Sequence, residues 1–338
     1  MSAPVRWGIL STAHINDKFL PGAREADNVE ILAVASREGE RARAYAAERG
    51  IPRAYGSYEE LLADPDIEAV YIPLPNSMHV PWAVRGLEAG KHVLCEKPLA
   101  RRAADAERVF AVAAERARLL SEAFMYRHHP QTRRLQELVA QGAVGELRVI
   151  RSHFSFSTAA DTDVRLFEAL EGGALLDVGC YCVNGSRMLA GEPASVMAMR
   201  QLGGHGVDVR FAATMRFPGG VLAHFDAGLD CAARHELEVV GAEGTILLRD
   251  PWHCARPVIE LGRPGRELER IEIDPVNPYR LEAENFSAAV RGEAELLLGA
   301  DDAIAQARAI EALLSAAAAG DGGGRAGEEE PGHPPAPR

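Results

Sequence analysis

The first residues whose types suggest chemistry follow a short apolar run. Val5–Leu10 leads into Ser11-Thr12-Ala13-His14-Ile15-Asn16, a small and polar stretch that opens a helical pattern. A strand, a tight loop and a helix N-terminus together present backbone N–H groups to an anion, typically a dinucleotide pyrophosphate. The strict G-x-G-x-x-G/A fingerprint is missing, with Ser11 and Ala13 standing where glycines are expected. Small residues still permit close backbone approach, but they reach fewer dihedrals than glycine, so the loop is expected to depart from the usual conformation. The next apolar run, Ile31–Ser36, ends in Ser36-Arg37, with Arg41 one helical turn further on. NAD-specific sites carry an acidic residue there, about 20 residues past the loop, to bind the ribose hydroxyls. A hydroxyl and a guanidinium instead suit a 2′-phosphate, which Arg binds in bidentate fashion and a carboxylate repels. The expected cofactor is NADP, with NAD as the alternative.

Positioning these groups falls to elements whose periodicity changes along the chain. Val5–Leu10, Ile31–Ser36, Ala69–Ile72, His92–Cys95 and Leu119–Ala123 are apolar runs of strand length. Residues 14–26, 40–49, 58–62, 80–89 and 103–116 between them have helical composition, with stops at Gly50, Pro52 and Gly90. Apolar strands separated by helices predict an α/β domain, a doubly wound parallel Rossmann sheet over residues 1–123 that binds the dinucleotide. Beyond it the pattern alters. A helix over 135–141 is followed by strand-like runs at 145–157, 207–217, 221–227, 235–241, 245–248 and 258–261, joined by Gly, Pro and Asp turns. Sequential strands with few helices between them predict a mostly antiparallel, open-faced sheet in an α+β domain over 124–319, with further helices at 176–190, 281–290 and 301–319. Residues 320–338 contain almost nothing apolar and are expected to form a disordered tail.

Composition narrows the classes. The 338 residues carry 37 basic and 49 acidic side chains, a net charge of −12, which leaves no basic excess for nucleic acid or an anionic membrane. The chain has no run of about 18 apolar residues and no basic leader before an apolar stretch, so neither a membrane span nor a signal peptide is expected. Five cysteines without a C-x-x-C pair read as neither a disulfide framework nor a zinc ribbon, and a cytoplasmic location follows as an expectation. Cys180 and Cys182 are two apart on a helix and read as small buried thiols. His128 and His129 point apart with no third ligand at suitable spacing, so no metal is expected.

His92-Val93-Leu94-Cys95-Glu96-Lys97-Pro98-Leu99 resembles the Glu-Lys-Pro signature of the glucose-fructose oxidoreductase/inositol dehydrogenase/rhizopine-catabolism (Gfo/Idh/MocA) superfamily. Three other pieces agree in order: Pro73-Leu74-Pro75-Asn76 with His79, the run Glu122 to Arg127, and the run Gly172 to Tyr181. The resemblance covers residues 5–319 and is nearest the branch of dimeric dihydrodiol dehydrogenase, NADP-dependent xylose dehydrogenases and glucose-fructose oxidoreductase. That branch carries Tyr where inositol dehydrogenases carry His, and Tyr181 stands at that place here.

The resemblance implies that Lys97 and Tyr181 are the catalytic pair. Hydride removal from an alcohol carbon needs a group to take the hydroxyl proton, and a phenol with its ordinary pKa near 10 is a poor base at neutral pH. A lysine ammonium close by would lower that pKa and stabilise oxyanion charge in the reverse direction. Asp177, four residues before Tyr181, would share its helix face and orient substrate or Lys97. Pro73, Leu74, Asn76, His79, Glu96, Lys97 and Arg165 are implied beside the cofactor, and Lys97, Arg127, Phe154, Asp177, Tyr181 and Tyr279 beside the substrate. Asn184, one turn beyond Tyr181, is either a substrate-hydroxyl partner or a local cap. The implied activity is sugar oxidation of the aldose 1-dehydrogenase type. Alternatives are a keto-sugar reductase, a trans-dihydrodiol dehydrogenase or a non-catalytic NADP-binding regulator, the last disfavoured because a sensor need not keep a proton-transfer pair. A homodimer or homotetramer through the C-terminal sheet is implied as well.

Overall fold

The computed structural model describes residues 2–158 and 162–321, so the expected tail lies outside the described residues beyond Asp321. Burial explains the first sheet. β1 (Val5–Leu10), β2 (Val29–Ala35), β3 (Arg53–Tyr55), β4 (Ala69–Ile72), β5 (His92–Glu96) and β6 (Leu120–Ala123) pair in the order β3-β2-β1-β4-β5-β6, all parallel. Every residue of β4 and β6 is buried, as a sheet covered on both faces requires. The chain winds outward from β1 to β3 and then returns to β4 on the other side, so a crevice opens at the carboxyl ends of β1 and β4.

Helices α1 (Asn16–Glu25), α2 (Gly39–Arg49), α3 (Tyr58–Ala63), α4 (Asn76–Glu88) and α5 (Ala103–Glu115) cover this sheet. The expected stop at Gly50 is met by its left-handed φ of 59°. Helix α4 begins four residues earlier than expected, at Asn76, and runs through Pro81.

The second sheet is mostly antiparallel. After α6 (Pro130–Ala140) come β7 (Leu147–Ser157), a π-helical turn over Leu175–Gly179, and α7 (Cys180–Ala190). There follow β8 (Ser195–Leu202), β9 (Asp208–Arg216), β10 (Leu222–Gly228), β11 (Asp230–Gly241), β12 (Thr245–Leu248), β13 (Val258–Gly262) and β14 (Glu269–Glu272). Their order is β14-β13-β12-β11-β7-β10-β9-β8, with β7 and β10 parallel and the other pairs antiparallel. Strands β3, β8 and β14 were not anticipated. Strand β8 lies at an edge and packs Val196 and Ala198 inward while exposing Met197 and Met199, so apolar residues on both faces erase any apolar–polar alternation in the sequence.

The chain then returns to the first sheet. α8 (Pro278–Val290) packs Phe286 against Trp7 at 5.2 Å between ring centroids, and Trp7 Nε1 donates to Ser287 Oγ at 3.1 Å. α9 (Ala300–Asp321) lies against α5, α7 and β8, burying Ala303, Ala307, Ile310 and Leu313. Gly22 marks how closely α1 meets α8, because a methyl group there would stand 2.7 Å from the Arg280 backbone nitrogen. Gly22→Ala is therefore expected to lower stability. Overpacking costs about 1–3 kcal/mol, while helix propensity returns no more than about 1 kcal/mol. A denaturant midpoint equal to wild type would show that the contact yields freely.

Candidate functional site

The crevice at the carboxyl ends of β1, β2, β4 and β5 is a cavity of about 450 Å³. The loop after β1 lines it with Ser11, Thr12, Ala13, His14 and Ile15, and the turn after β2 with Ser36, Arg37 and Arg41. Pro73, Leu74, Asn76 and His79 enter after β4, and Glu96 and Lys97 at the end of β5. Arg165 and Asp177 reach it from the C-terminal part. The structure thus gathers every residue expected beside a cofactor into one space.

Local geometry accounts for the missing glycines. Ser11 takes φ 145°, a region where side chains other than glycine's are rare and cost about 1–3 kcal/mol. Its hydroxyl donates to the Pro73 carbonyl at 3.1 Å and accepts from the Ala13 N–H at 3.2 Å, while Asn16 Nδ2 donates to the Ser11 carbonyl at 2.9 Å. These bonds hold Ser11 in a region ordinarily left to glycine and offset part of its strain. At the end of β2, the Ser36 N–H donates to the Tyr55 carbonyl, and the Ser36 hydroxyl accepts from the Glu38 N–H at 3.4 Å. Arg37 and Arg41 stand beside Tyr58, whose phenol is pushed up by burial and drawn back by both guanidiniums.

His79 joins two of the loops. Its ring nitrogens lie 2.8 Å from the Pro98 carbonyl oxygen and 2.7 Å from that of Leu74. Burial pushes its pKa down to about 4, so the neutral ring donates to one of them. Asn76 Nδ2 donates to the Glu171 carbonyl at 2.7 Å, tying the start of α4 to the segment that carries Arg165.

Lys97 is the charged centre. Its ammonium donates to the Asp177 carbonyl at 2.7 Å and to Asp177 Oδ1 at 3.1 Å, and Arg165 Nε lies 2.9 Å from Asp177 Oδ2. Burial works against the ammonium, but Asp177, Cys180 and Glu96 outweigh it, and the lysine pKa rises. Burial likewise opposes the Asp177 carboxylate, yet Lys97 and Arg165 hold it below its ordinary range. Asp177 does not sit on a regular α-helix with Tyr181 as the spacing suggested. It lies in the π-helical turn that precedes α7, a feature often found at functional sites.

Tyr181 is placed differently from expectation. The Lys97 ammonium lies over the face of its ring, 5.1 Å from the centroid, and the phenol donates to Met125 Sδ at 3.7 Å. Burial pushes the phenol pKa up, Tyr279, Glu96, Cys180 and Asp177 push the same way, and it stands raised even with the Lys97 ammonium against the ring. Phe124, Phe154, Tyr126 and Trp252 surround the ring with centroids 5.4 to 6.0 Å away.

Five expected substrate residues, Tyr181 among them, lie outside the cavity lining. Phe154 packs on the Tyr181 ring, and Tyr279 sits at the start of α8 with its backbone N–H bonded to Asn277 Oδ1. Asn184 is fully buried: its Oδ1 accepts from Tyr126 Oη at 2.5 Å and from Arg127 Nη1 at 3.1 Å. Arg127 also approaches Asp302 at 3.6 Å. Asn184 and Arg127 thus spend their polar groups on each other and on Tyr126 and Asp302, partners distant in sequence, so Asn184 is not the local cap offered as its alternative. Glu38, Tyr58, Met78, Val164, Leu170 and Gly172 line the cavity without having been anticipated. Gly172 carried a sequence signal, being the first of a Gly-Gly pair, and a Cβ there would collide with the Arg165 carbonyl.

Comparison with known proteins gives this geometry a context. Residues 5–124 match the GFO/IDH/MocA model, an oxidoreductase family with an NAD-binding Rossmann fold, and residues 132–247 match a GFO/IDH/MocA C-terminal domain. The chain is 37% identical over 320 residues to a D-xylose 1-dehydrogenase (NADP(+)) of Haloferax volcanii, covering 93% of this chain and 98% of that one. It is 34% identical over 262 residues to human trans-1,2-dihydrobenzene-1,2-diol dehydrogenase, covering 76% of this chain and 78% of that protein. The crystal structure of KijD10, a 3-ketoreductase from Actinomadura kijaniata in complex with NADP and TDP-benzene, superposes with a TM-score of 0.86 at 31% identity, over 93% of this chain and 98% of that chain. The matched segments and these relatives together establish that the chain belongs to the GFO/IDH/MocA oxidoreductase family.

Proposed function

We propose that this family member is an NADP-dependent oxidoreductase that exchanges a hydride with a hydroxyl-bearing carbon of a small sugar, acting as an aldose 1-dehydrogenase. One observation carries the reading: a single cavity joins Arg37 and Arg41 at one end to the Lys97–Asp177 pair at the other. The first end fits a phosphorylated ribose, since Ser36 and Arg37 stand at the end of β2 where NAD-specific sites carry an acidic residue, and Arg41 adds a second guanidinium beside Glu38. The loop Ser11 to Ile15, leading into α1, would hold the pyrophosphate. NADP, when bound, supplies the hydride acceptor or, in its reduced form, the donor.

The remaining chemistry falls to this chain's side chains. Lys97, fixed and kept charged by Asp177, would donate to the substrate oxygen and stabilise negative charge on it. Tyr181 would take the hydroxyl proton in oxidation and give it back in reduction. Phe154 and Tyr279 would back the substrate space, and we assign Arg127 and Asn184 to supporting the wall behind Tyr126. A second reading, keto-sugar reduction, is favoured by the charge states: a phenol held neutral beside a charged ammonium is ready to donate a proton. The 3-ketoreductase and xylose dehydrogenase among the relatives support the two directions equally.

Residues 1–123 would serve the cofactor and residues 124–319 the substrate. Exposed Met197, Met199 and Leu222 on the second sheet suit pairing with a second copy. Among the described residues no helix is long and apolar enough to cross a membrane, and the five cysteines are free, which suits a reducing cytoplasm. Pure protein mixed with NADP or NAD and a panel of aldoses, inositols, dihydrodiols and keto-sugars tests the reading through nicotinamide absorbance. Turnover with a sugar and a preference for NADP are expected. Arg37→Ala should then raise the KM for NADP by about tenfold, the loss of one charge-assisted bond, and leave that for NAD near wild type. No turnover in either direction would favour a cofactor-binding regulator.

A further inference from the structure

The adjacent His128 and His129 point apart and offered no reason to expect a metal, yet the fold brings three ligand side chains together, one from β11 and two from a single turn. We propose that His235, Asp250 and His253 form a binding site for a divalent transition metal of the zinc class. His235 lies on β11, and Asp250 and His253 lie on the turn after β12. One potential ligand atom from each, a ring nitrogen or a carboxylate oxygen, falls within 4.8 Å of the others.

The carboxylate is prepared for such a role. Asp250 is 3% exposed, and its Oδ2 accepts from the backbone N–H groups of Ala255 at 2.8 Å and Arg256 at 3.1 Å. Its other oxygen, Oδ1, is buried and has no hydrogen-bond partner, an expensive condition for a charged atom. Oδ1 is aimed at the two imidazoles, 3.4 Å from His235 Nε2 and 3.7 Å from His253 Nδ1.

Those separations are close to what an ion imposes. Tetrahedral zinc with ligands at about 2.0–2.1 Å sets neighbouring ligand atoms roughly 3.3 Å apart. The two oxygen-to-nitrogen edges therefore need a few tenths of an ångström, and the remaining closure falls to His253, whose side chain is half-exposed. Two imidazoles and one carboxylate leave a fourth position for water, the donor set of an open zinc-type site. The Phe154 ring packs edgewise on His253 at 5.3 Å and on Tyr181 at 5.4 Å, so the site stands one aromatic ring behind the catalytic tyrosine.

The test is binding, independent of turnover. Untagged full-length protein is stripped with chelator, dialysed against micromolar ZnCl2 and analysed for zinc, and the cobalt-loaded form is inspected for visible d–d absorption. About one equivalent is expected in the wild type, with His253→Ala and His235→Gln each weakening affinity at least ~10-fold. His224→Ala, an exposed histidine on β10, serves as the control and is expected to bind like wild type. Melting temperatures of the metal-free proteins establish that the variants fold, and zinc should raise the melting temperature of wild type more than that of His253→Ala. Less than half an equivalent in the wild type, or undiminished binding in both ligand variants, would overturn the proposal.

Discussion

Replacing Lys97 with methionine is expected to lower kcat by on the order of 10³-fold, about 4 kcal/mol of transition-state stabilisation. Methionine keeps much of the stem's bulk while removing the charge that stands against Asp177, Glu96 and the Tyr181 ring. The substrate oxygen then loses its cationic donor, a group whose value is greatest where charge develops away from water. Stability should fall too, because Asp177 retains Arg165 as a partner but loses the nearer ammonium contact with its carbonyl. Cofactor affinity, followed by nicotinamide fluorescence, should remain close to wild type, since the phosphate-facing groups lie at the other end of the cavity. That split separates a chemical role from a collapsed site. A folded Lys97→Met protein with turnover near wild type would remove Lys97 from the chemistry.

Tyr181→Phe should cost kcat between about 10² and 10⁴-fold, the usual range for a positioned proton-transfer group. The substitution deletes one oxygen and leaves the ring against Phe124, Phe154 and Trp252, so packing is retained. The bond it removes goes to a thioether, a weak acceptor, and the stability change should stay within about 1 kcal/mol. The pH profile provides the sharper reading. Burial holds the phenol protonated, so in the oxidation direction the proton-accepting form becomes populated only as pH rises, and kcat should climb through the alkaline range. In the reduction direction the neutral phenol is the active form, and kcat should stay level over that range. Tyr181→Phe should abolish the alkaline climb. A variant that keeps both the rate and the climb would identify another group as the proton carrier.

These two residues also mark how far sequence reasoning reached. Lys97 follows an apolar strand and precedes a proline, so its place at the ligand-binding rim was legible from local pattern. Tyr181 was legible through resemblance, but its environment was not. The spacing of Asp177 and Tyr181 implied a shared α-helical face, whereas the π-helical turn over Leu175–Gly179 redirects Asp177 toward Lys97. A turn type of that kind depends on what packs around it. Some misses had readable causes: α6 and α8 begin at Pro130 and Pro278, each behind a capping side chain, His129 and Asn277. Strand β8 had no such signal, since apolar residues stand on both its faces, Val196 and Ala198 inward and Met197 and Met199 outward.

The sequence alone was enough for the two-sheet architecture and for the loops that meet at the carboxyl ends of the parallel strands, though not for Glu38, Tyr58, Met78, Val164 and Leu170 on the cavity lining. Strand burial and helix punctuation are local properties, and the carboxyl ends of parallel strands come together whenever those strands pair. Tertiary structure decided whatever depends on side chains meeting across long separations. It turned Asn184 and Arg127 toward Tyr126 and Asp302, set the Lys97 ammonium against the Tyr181 ring instead of its hydroxyl, and brought His235 to Asp250 and His253. No periodicity encodes such meetings, because they follow from how sheets and helices pack and not from the spacing of residues within any one of them.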